Sequence, residues 1–513
     1  MVFNSWQFLV FFPGVTALYF MLTLKLHKPL GSQVFLLAAS LFFYGYWNPW
    51  YLGLILFSVV ITWAGALLIE RIEKGEKIEK GTAKTGAGKK LVLGLALTLN
   101  LGVLFWFKYF DFFAETWYTL AGLLGGVRET AWKKPLEVLL PVGISFYTFQ
   151  ALGYAIDVYR GAVPAERNLL HYALFVTFFP QLVAGPIERT GHLLPQFKGP
   201  QGFDYDRVTS GLRQAAWGMF KKVAVADRLA VYVNAVFDAP AAYPAPALAL
   251  GALFFTFQIY GDFSGYSDIA VGTARILGFD LSVNFRAPYF SRSLRDFWRR
   301  WHISLSRWFK DYLYFPLGGS RNGWAAANLL ITFLVSGLWH GAAWHFAAWG
   351  LLHGLLQTAE RALGIPEGRG LGKYLQGGLT FALVSFAWIF FRAHTLSDAL
   401  FISSRLAALP LELAGYIKQL PQTGLVNMVR QAFQLGGSLQ GVTSPIPQFG
   451  ITQAGLSLIC IAALLGADWF IHTGRVRVSR LSLVPRWALY YTLVFTVFLS
   501  WDRGASLFIY FTF

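Results

Sequence analysis

Long apolar runs, broken by short polar or Gly- and Pro-bearing segments, dominate this chain. About 20 apolar residues span a hydrocarbon core of about 30 Å. On that measure the candidate spans fall at 6–24, 33–49, 51–69, 92–112, 136–157, 168–186, 211–234, 246–262, 326–344, 346–360, 375–392, 450–471 and 487–508. Pro141, Gly143, Pro180, Gly185 and Pro186 interrupt some of these runs. Irregular backbone at membrane depth survives only where protein or a wet cavity surrounds it. The pattern predicts an all-α polytopic membrane protein of about 11 true spans, the remaining runs being re-entrant or broken. No internal repeat is evident, which argues against transporters built from inverted repeats.

The polar segments between the runs differ in kind. Residues 70–91 carry seven Lys/Arg among acids and glycines and read as a flexible cytoplasmic loop. By the same rule the Lys25–Lys28 segment, two spans earlier, is cytoplasmic, as is the segment with Arg475, Arg477, Arg480 and Arg486. Both termini are then expected outside. No Lys or Arg precedes residue 25, the opposite of a secretory signal, so the first span should be retained. Residues 286–325 are too charged to span and too aromatic for an ordinary loop. Arg292, Arg295, Arg299, Arg300, Arg307, Lys310 and Arg321 alternate there with Phe297, Trp298, Trp301, Trp308 and Phe309. They read as helices at the cytoplasmic interface, with arginines reaching headgroups or an anionic ligand. Residues 395–448, with weak amphipathicity at 398–409 and turn residues Pro445 and Pro447, form a second non-spanning segment, external by parity.

Composition fits this picture. Of 513 residues, 56% are hydrophobic and only 13% charged, about half the charged share of an average soluble protein. Mean hydropathy is +0.49. The net charge of +17 would suggest nucleic acid in a soluble protein. Here the positives gather in cytoplasmic loops and one interfacial segment, so no nucleic-acid partner is expected and lipid is the surroundings. Cys460 is the sole cysteine, which excludes disulfides within the chain, thiolate zinc sites and iron–sulfur clusters.

The scarcity of charge makes a few residues conspicuous. His340 lies within an apolar run, flanked by Gly337, Gly341, Ala342 and Ala343. An ionisable group at membrane depth is a functional candidate by default, against the plainer reading of a hydrogen-bonded core histidine. His302 stands among arginines and tryptophans near the inner interface, where a simple interfacial histidine is the alternative. His345 and His353, at offsets of five and thirteen from His340, do not make the i, i+4 pair of a helical zinc site, and no metal is expected. Around Gly261 and Gly265, which suggest a helix break, cluster Asp262, Ser264 and Asp268. Their carboxylates need partners, and the arginines after 286 are the obvious ones. A nucleophile elbow and a phosphate-binding Gly-rich loop are both lacking. What remains is a histidine acting on a hydroxyl in a membrane cavity.

The motifs DFSGYSDIAVG (262–272), the run 284–321 containing FWRRWHISLSRWF, and GLWHGAAW (337–344) strongly resemble the membrane-bound O-acyltransferase (MBOAT) family. Residues 140–161 and 179–189 are similar to the branch that O-acetylates alginate and other cell-surface polymers. The resemblance covers most of residues 1–400. It implies a ring of helices around a central funnel, with His340 as the catalytic histidine and His302 as the second histidine. Arg299, Arg300, Trp339, Asp262, Ser264 and Asp268 would bind the donor or support the site. The implied donor is a cytoplasmic thioester, acetyl-CoA, with no bound cofactor.

The ending FIYFTF (508–513) is similar to the end of the small partner peptide of teichoic-acid D-alanylation systems. That resemblance implies that Tyr510 accepts the acyl group and hands it to an external SGNH-type transferase, which delivers it to a cell-surface polysaccharide. An interfacial aromatic anchor is the plainer reading of Tyr510. D-Alanyl transfer is the alternative chemistry. A lipid or polysaccharide transporter, and a non-catalytic export scaffold, are the readings from other classes. The implied location is the bacterial cytoplasmic membrane.

Overall fold

The computed structural model describes residues 1–513 except 28, 79–84, 124–139, 184, 200, 322, 365–367, 369, 437–445, 447, 474–480, 502–508 and 510–513. Tyr510 lies outside the described residues, as do Lys28, Pro445, Pro447, Arg475, Arg477 and Arg480 and part of the 70–91 loop. The described residues are helical, with a lone bridge between Gly436 and Gly450. They form two compact units, one of residues 1–215 and 267–283, the other of residues 216–266 and 284–513.

The first unit contains α1 (Trp6–Lys25), α2 (Pro29–Gly45), α3 (Tyr51–Gly75), α4 (Gly86–Leu123), α5 (Ile144–Tyr159) and α6 (Leu169–Thr177). Most of α7 (Tyr205–Met219) and the end of α9 (Ala245–Leu277), introduced with the second unit, also belong to it. Several buried polar side chains inside it pair with one another, which offsets the cost of a low-dielectric interior. Ser58 donates to Asn100 Oδ1 at 2.5 Å, and the hydroxyls of Thr62 and Tyr172 lie 2.6 Å apart. The expected span at 168–186 is broken: α6 stops at Thr177, and a separate turn runs from Phe179 to Leu182. Gln181 donates to Gln150 Oε1 at 2.6 Å and to the Pro186 carbonyl at 3.1 Å, satisfying irregular backbone and amide together. The motif segments 140–161 and 179–189 thus meet in a hydrogen-bonded core.

In the second unit α7 continues as a π-helical stretch (Phe220–Asp227) into α8 (Arg228–Asp238), and α9 (Ala245–Leu277) follows. Next come α10 (Leu294–Arg300), α11 (Ile303–Phe309), α12 (Ala325–His340), α13 (Trp344–Leu363) and α14 (Gly372–Arg392). The last are α15 (Leu396–Leu406), α16 (Leu409–Thr423), α17 (Leu425–Phe433), α18 (Ile451–Phe470) and α19 (Leu483–Ser500). A core rich in aromatic rings, including Trp301, Trp349 and Trp388, fills it.

Seven helices among the described residues are long and apolar enough to cross a membrane. Counted together, α15 and α16, bent by 53° across their break, make an eighth by length and composition. The chain is a multi-pass membrane protein. The helix break expected at Gly261 and Gly265 is absent, because α9 runs unbroken through both. A Cβ at residue 261 would stand 2.9 Å from the Lys221 carbonyl oxygen, and one at 265 would stand 2.8 Å from that of Gly218. These glycines serve close backbone approach rather than a bend.

Candidate active site

The site grows from a helical hairpin. Residues Gly337 and Gly350 let α12 and α13 touch backbone to backbone, with their Cα atoms placed so that a Cβ on either would meet the other's Cα at 3.2 Å. At Gly337 the same Cβ would lie 2.2 Å from the Phe346 carbonyl oxygen. Beyond His340 the chain turns extended at Gly341, where a Cβ would strike the Phe346 ring at 2.0 Å. The small residues around His340 therefore make room for Phe346 and for the facing helix. His340, expected inside a span, is the last residue of α12, where the helix stops. Its ring is 3% exposed and walled by Trp339, Trp349 and Phe391 at 5.0, 5.1 and 5.3 Å.

His302 reaches the same indole from another element. It joins α10 to α11 in a left-handed conformation, φ 42° and ψ 55°, which is uncommon for a residue other than glycine. Asn284 holds the turn in place: its carbonyl accepts the Ile303 N–H at 3.0 Å, and its Oδ1 accepts the Ser304 hydroxyl at 2.7 Å. The His302 ring is fully buried, edge-on to Phe263 at 4.6 Å, and 6.3 Å from Trp339. Burial lowers its pKa to about 3, so the ring is neutral at physiological pH.

Near this pair lies a cavity of about 880 Å³. Arg295, Arg299, Arg307, Lys310 and Arg361 line it, with Glu360 the lining carboxylate. Ser336, one helical turn before His340, and Ile303, the residue after His302, form part of its wall. Arg299 therefore faces the cavity. Arg300 instead pairs with Asp296 Oδ1 at 2.9 Å within α10. A net positive cavity of this size suits an anionic, elongated ligand.

The remaining candidates separate. Asp262 is 2% exposed and pairs with Lys222 Nζ at 2.6 Å, not with an arginine after residue 286. Ser264, one turn from Tyr260 in α9, is buried. Asp268 belongs to the other unit and accepts from Gln214 Nε2 at 3.0 Å. His345 Nδ1–H donates to the Phe390 carbonyl at 2.9 Å, and His353 sits among Trp298, Trp349 and Trp388 as a core residue. No group of three His, Cys, Asp or Glu among the described residues is placed to hold a metal ion. Sequence reasoning missed Lys222, hidden in a run read as a span, and Arg361 and Ser336, which lie far along the chain from the basic segment.

The fold combines membrane-crossing helices with two histidines set against one indole and a basic cavity walled by residues near them in the chain, and comparison with known proteins gives the class. Residues 162–364 match the family model of MBOAT, the membrane-bound O-acyltransferase family. The chain belongs to that family and is an O-acyltransferase. It is 39% identical over 405 residues to the probable alginate O-acetylase AlgI of Pseudomonas putida, covering 78% of this chain and 79% of that one. To the peptidoglycan O-acetyltransferase of Helicobacter pylori it is 36% identical over 435 residues, 78% of each chain. The teichoic acid D-alanyltransferase of Bacillus subtilis is 29% identical over 237 residues, 44% of this chain and 60% of that protein.

Proposed function

We propose that the protein carries an acetyl group from a cytoplasmic thioester, acetyl-CoA, across the bacterial cytoplasmic membrane for O-acetylation of a cell-surface polysaccharide. The observation that carries this reading is the basic cavity whose wall includes Ile303, next to His302 in the chain, and Ser336, one helical turn before His340. Its cations suit the phosphates of the donor, and in this reading the thioester passes from it to the nearby histidines. His340 takes the proton of an acceptor hydroxyl as the oxygen attacks the thioester carbonyl carbon. The C–O bond forms, the C–S bond breaks, and the leaving thiolate recovers the proton, returning the imidazole to its neutral form. His302, neutral and buried, donates its N–H to the carbonyl oxygen as negative charge develops there.

The acceptor in this reading is the phenol of Tyr510. Its ester is then attacked by the serine of an external SGNH-type partner, which releases the phenol and passes the acetyl group to the polymer. Lys and Arg distribution supports external placement of both termini. The similarity to a teichoic acid D-alanyltransferase supports a second reading, D-alanyl transfer, but over a smaller share of the chain.

The test is polymer O-acetylation in strains carrying His340→Ala or Tyr510→Phe. Both should lose acetylation, and the peptide spanning residues 508–513 should gain one acetyl mass when the donor is supplied. Full activity of His340→Ala overturns the catalytic assignment and favours a transporter or scaffold. Full activity of Tyr510→Phe removes the relay alone.

A further inference from the structure

Asp262 has an occupation that the donor site does not need. One of its oxygens takes Lys222 Nζ at 2.6 Å, and the other accepts the backbone N–H of Ile509 at 2.7 Å. Lys222, whose side chain is 1% exposed, also bridges to Asp227 Oδ1 at 2.8 Å and lies over the Tyr266 ring at 5.6 Å. The sequence builds this arrangement. With no side chains at Gly261 and Gly265, the Lys221–Lys222 backbone approaches α9, so closely that a Cβ at residue 265 would stand 3.0 Å from the Lys222 N. That approach brings the ammonium to the carboxylate.

A buried carboxylate with a fixed cation is a rigid acceptor, and a charge-assisted bond to it is stronger than one between neutral groups. The Ile509 side chain, 8% exposed, is part of the apolar core of the same unit. A second tie lies nine residues earlier, where Arg228 donates to Ser500 Oγ at 3.0 Å at the end of α19 and to Gln453 Oε1 at 2.6 Å. Phe263, the residue after Asp262, carries the edge contact to His302. Residue 509 is thus held by the neighbour of a residue that touches the second histidine.

We infer that Asp262, held by Lys222, is the docking point for the chain's own segment around Ile509, and so a positioning residue that sets the register of Tyr510. The role of that register in catalysis rests on the relay reading above; the docking does not.

The two are tested apart. In a Cys460→Ser background, Ile509→Cys puts the sole thiol at the docked position, and its maleimide labelling rate in purified full-length protein reports undocking. Asp262→Ala should raise that rate about tenfold or more, the scale set by losing a hydrogen bond to a charged group. Should Asp262→Ala not give a monodisperse preparation, Asp262→Asn, the same shape without the charge, carries the same expectation. An unchanged labelling rate overturns the docking. Ile509→Pro, which removes the donating N–H and leaves the helices untouched, should lower polymer O-acetylation as far as Asp262→Ala does, and the double variant no further. Faster labelling with full acetylation keeps the docking and overturns the relay. Unchanged labelling, with acetylation lost in Tyr510→Phe, does the reverse.

Discussion

The imidazole of His302 stands 6.3 Å from the indole of Trp339, the residue immediately before His340. Two histidines from separate elements are therefore set near one aromatic ring, His340 at 5.0 Å and His302 at 6.3 Å. That indole is 3% exposed. The two imidazoles differ in setting: His340 closes α12 behind a wall of aromatic rings, whereas His302 is fully buried and neutral.

His340→Ala should lower thioester turnover in proteoliposomes by about 10²- to 10⁴-fold, the usual weight of a general base. His302→Ala should cost about 10²- to 10³-fold, as loss of one oxyanion donor does. Equal turnover in either variant and the parent, with donor consumption followed by thiol release, would remove that residue from the chemistry.

The cavity cations should act on donor affinity. Arg299→Ala and Arg307→Ala are expected to raise the KM for the thioester about five- to tenfold each with kcat nearly unchanged, since each removes one positive charge facing the ligand. The parent's KM should rise with ionic strength, and less so in the double variant. A fall in kcat at constant KM would place these arginines elsewhere in the cycle.

Burial of His302 makes stability depend on pH with a definite sign. Its folded pKa of about 3 lies below the ordinary 6.5, so between those values the unfolded chain binds a proton that the folded chain refuses. Stability in detergent should decline as pH falls from about 6.5 toward 3, with this residue contributing about 1.4 kcal/mol per pH unit. The contribution is constant above that window and saturates below it. Thermal melts of His302→Asn across the range should show a shallower acid decline than those of the parent.

Glycine at the hairpin is a packing requirement. Gly337→Ala and Gly350→Ala each place a methyl 2.2 Å from a carbonyl oxygen of the facing helix and should destabilise by at least about 2 kcal/mol. Gly378→Ala, whose methyl would meet nothing within 4 Å, should leave the melting temperature unchanged or slightly higher. Equal melting temperatures for the three variants would show that the hairpin relaxes freely.

Hydrophobic run length alone determined that this chain crosses a membrane several times, because unpaired backbone cannot lie in hydrocarbon and about 20 apolar residues are needed to hide it. The sequence also made His340 and His302 stand out, since charge and imidazole are rare in so apolar a chain, and the basic aromatic segment after residue 286 was legible for the same reason. Tertiary structure decided what those residues meet. Local spacing carries no record of contacts between distant segments, so Asp262 was assigned arginine partners when close glycine packing delivers Lys222 instead. Gly261 and Gly265 read as a helix break, yet a glycine missing its Cβ equally permits a second backbone to touch an intact helix. Arg361 and Ser336 joined the cavity only because the α12–α13 hairpin folds them back onto the segment that carries Arg299.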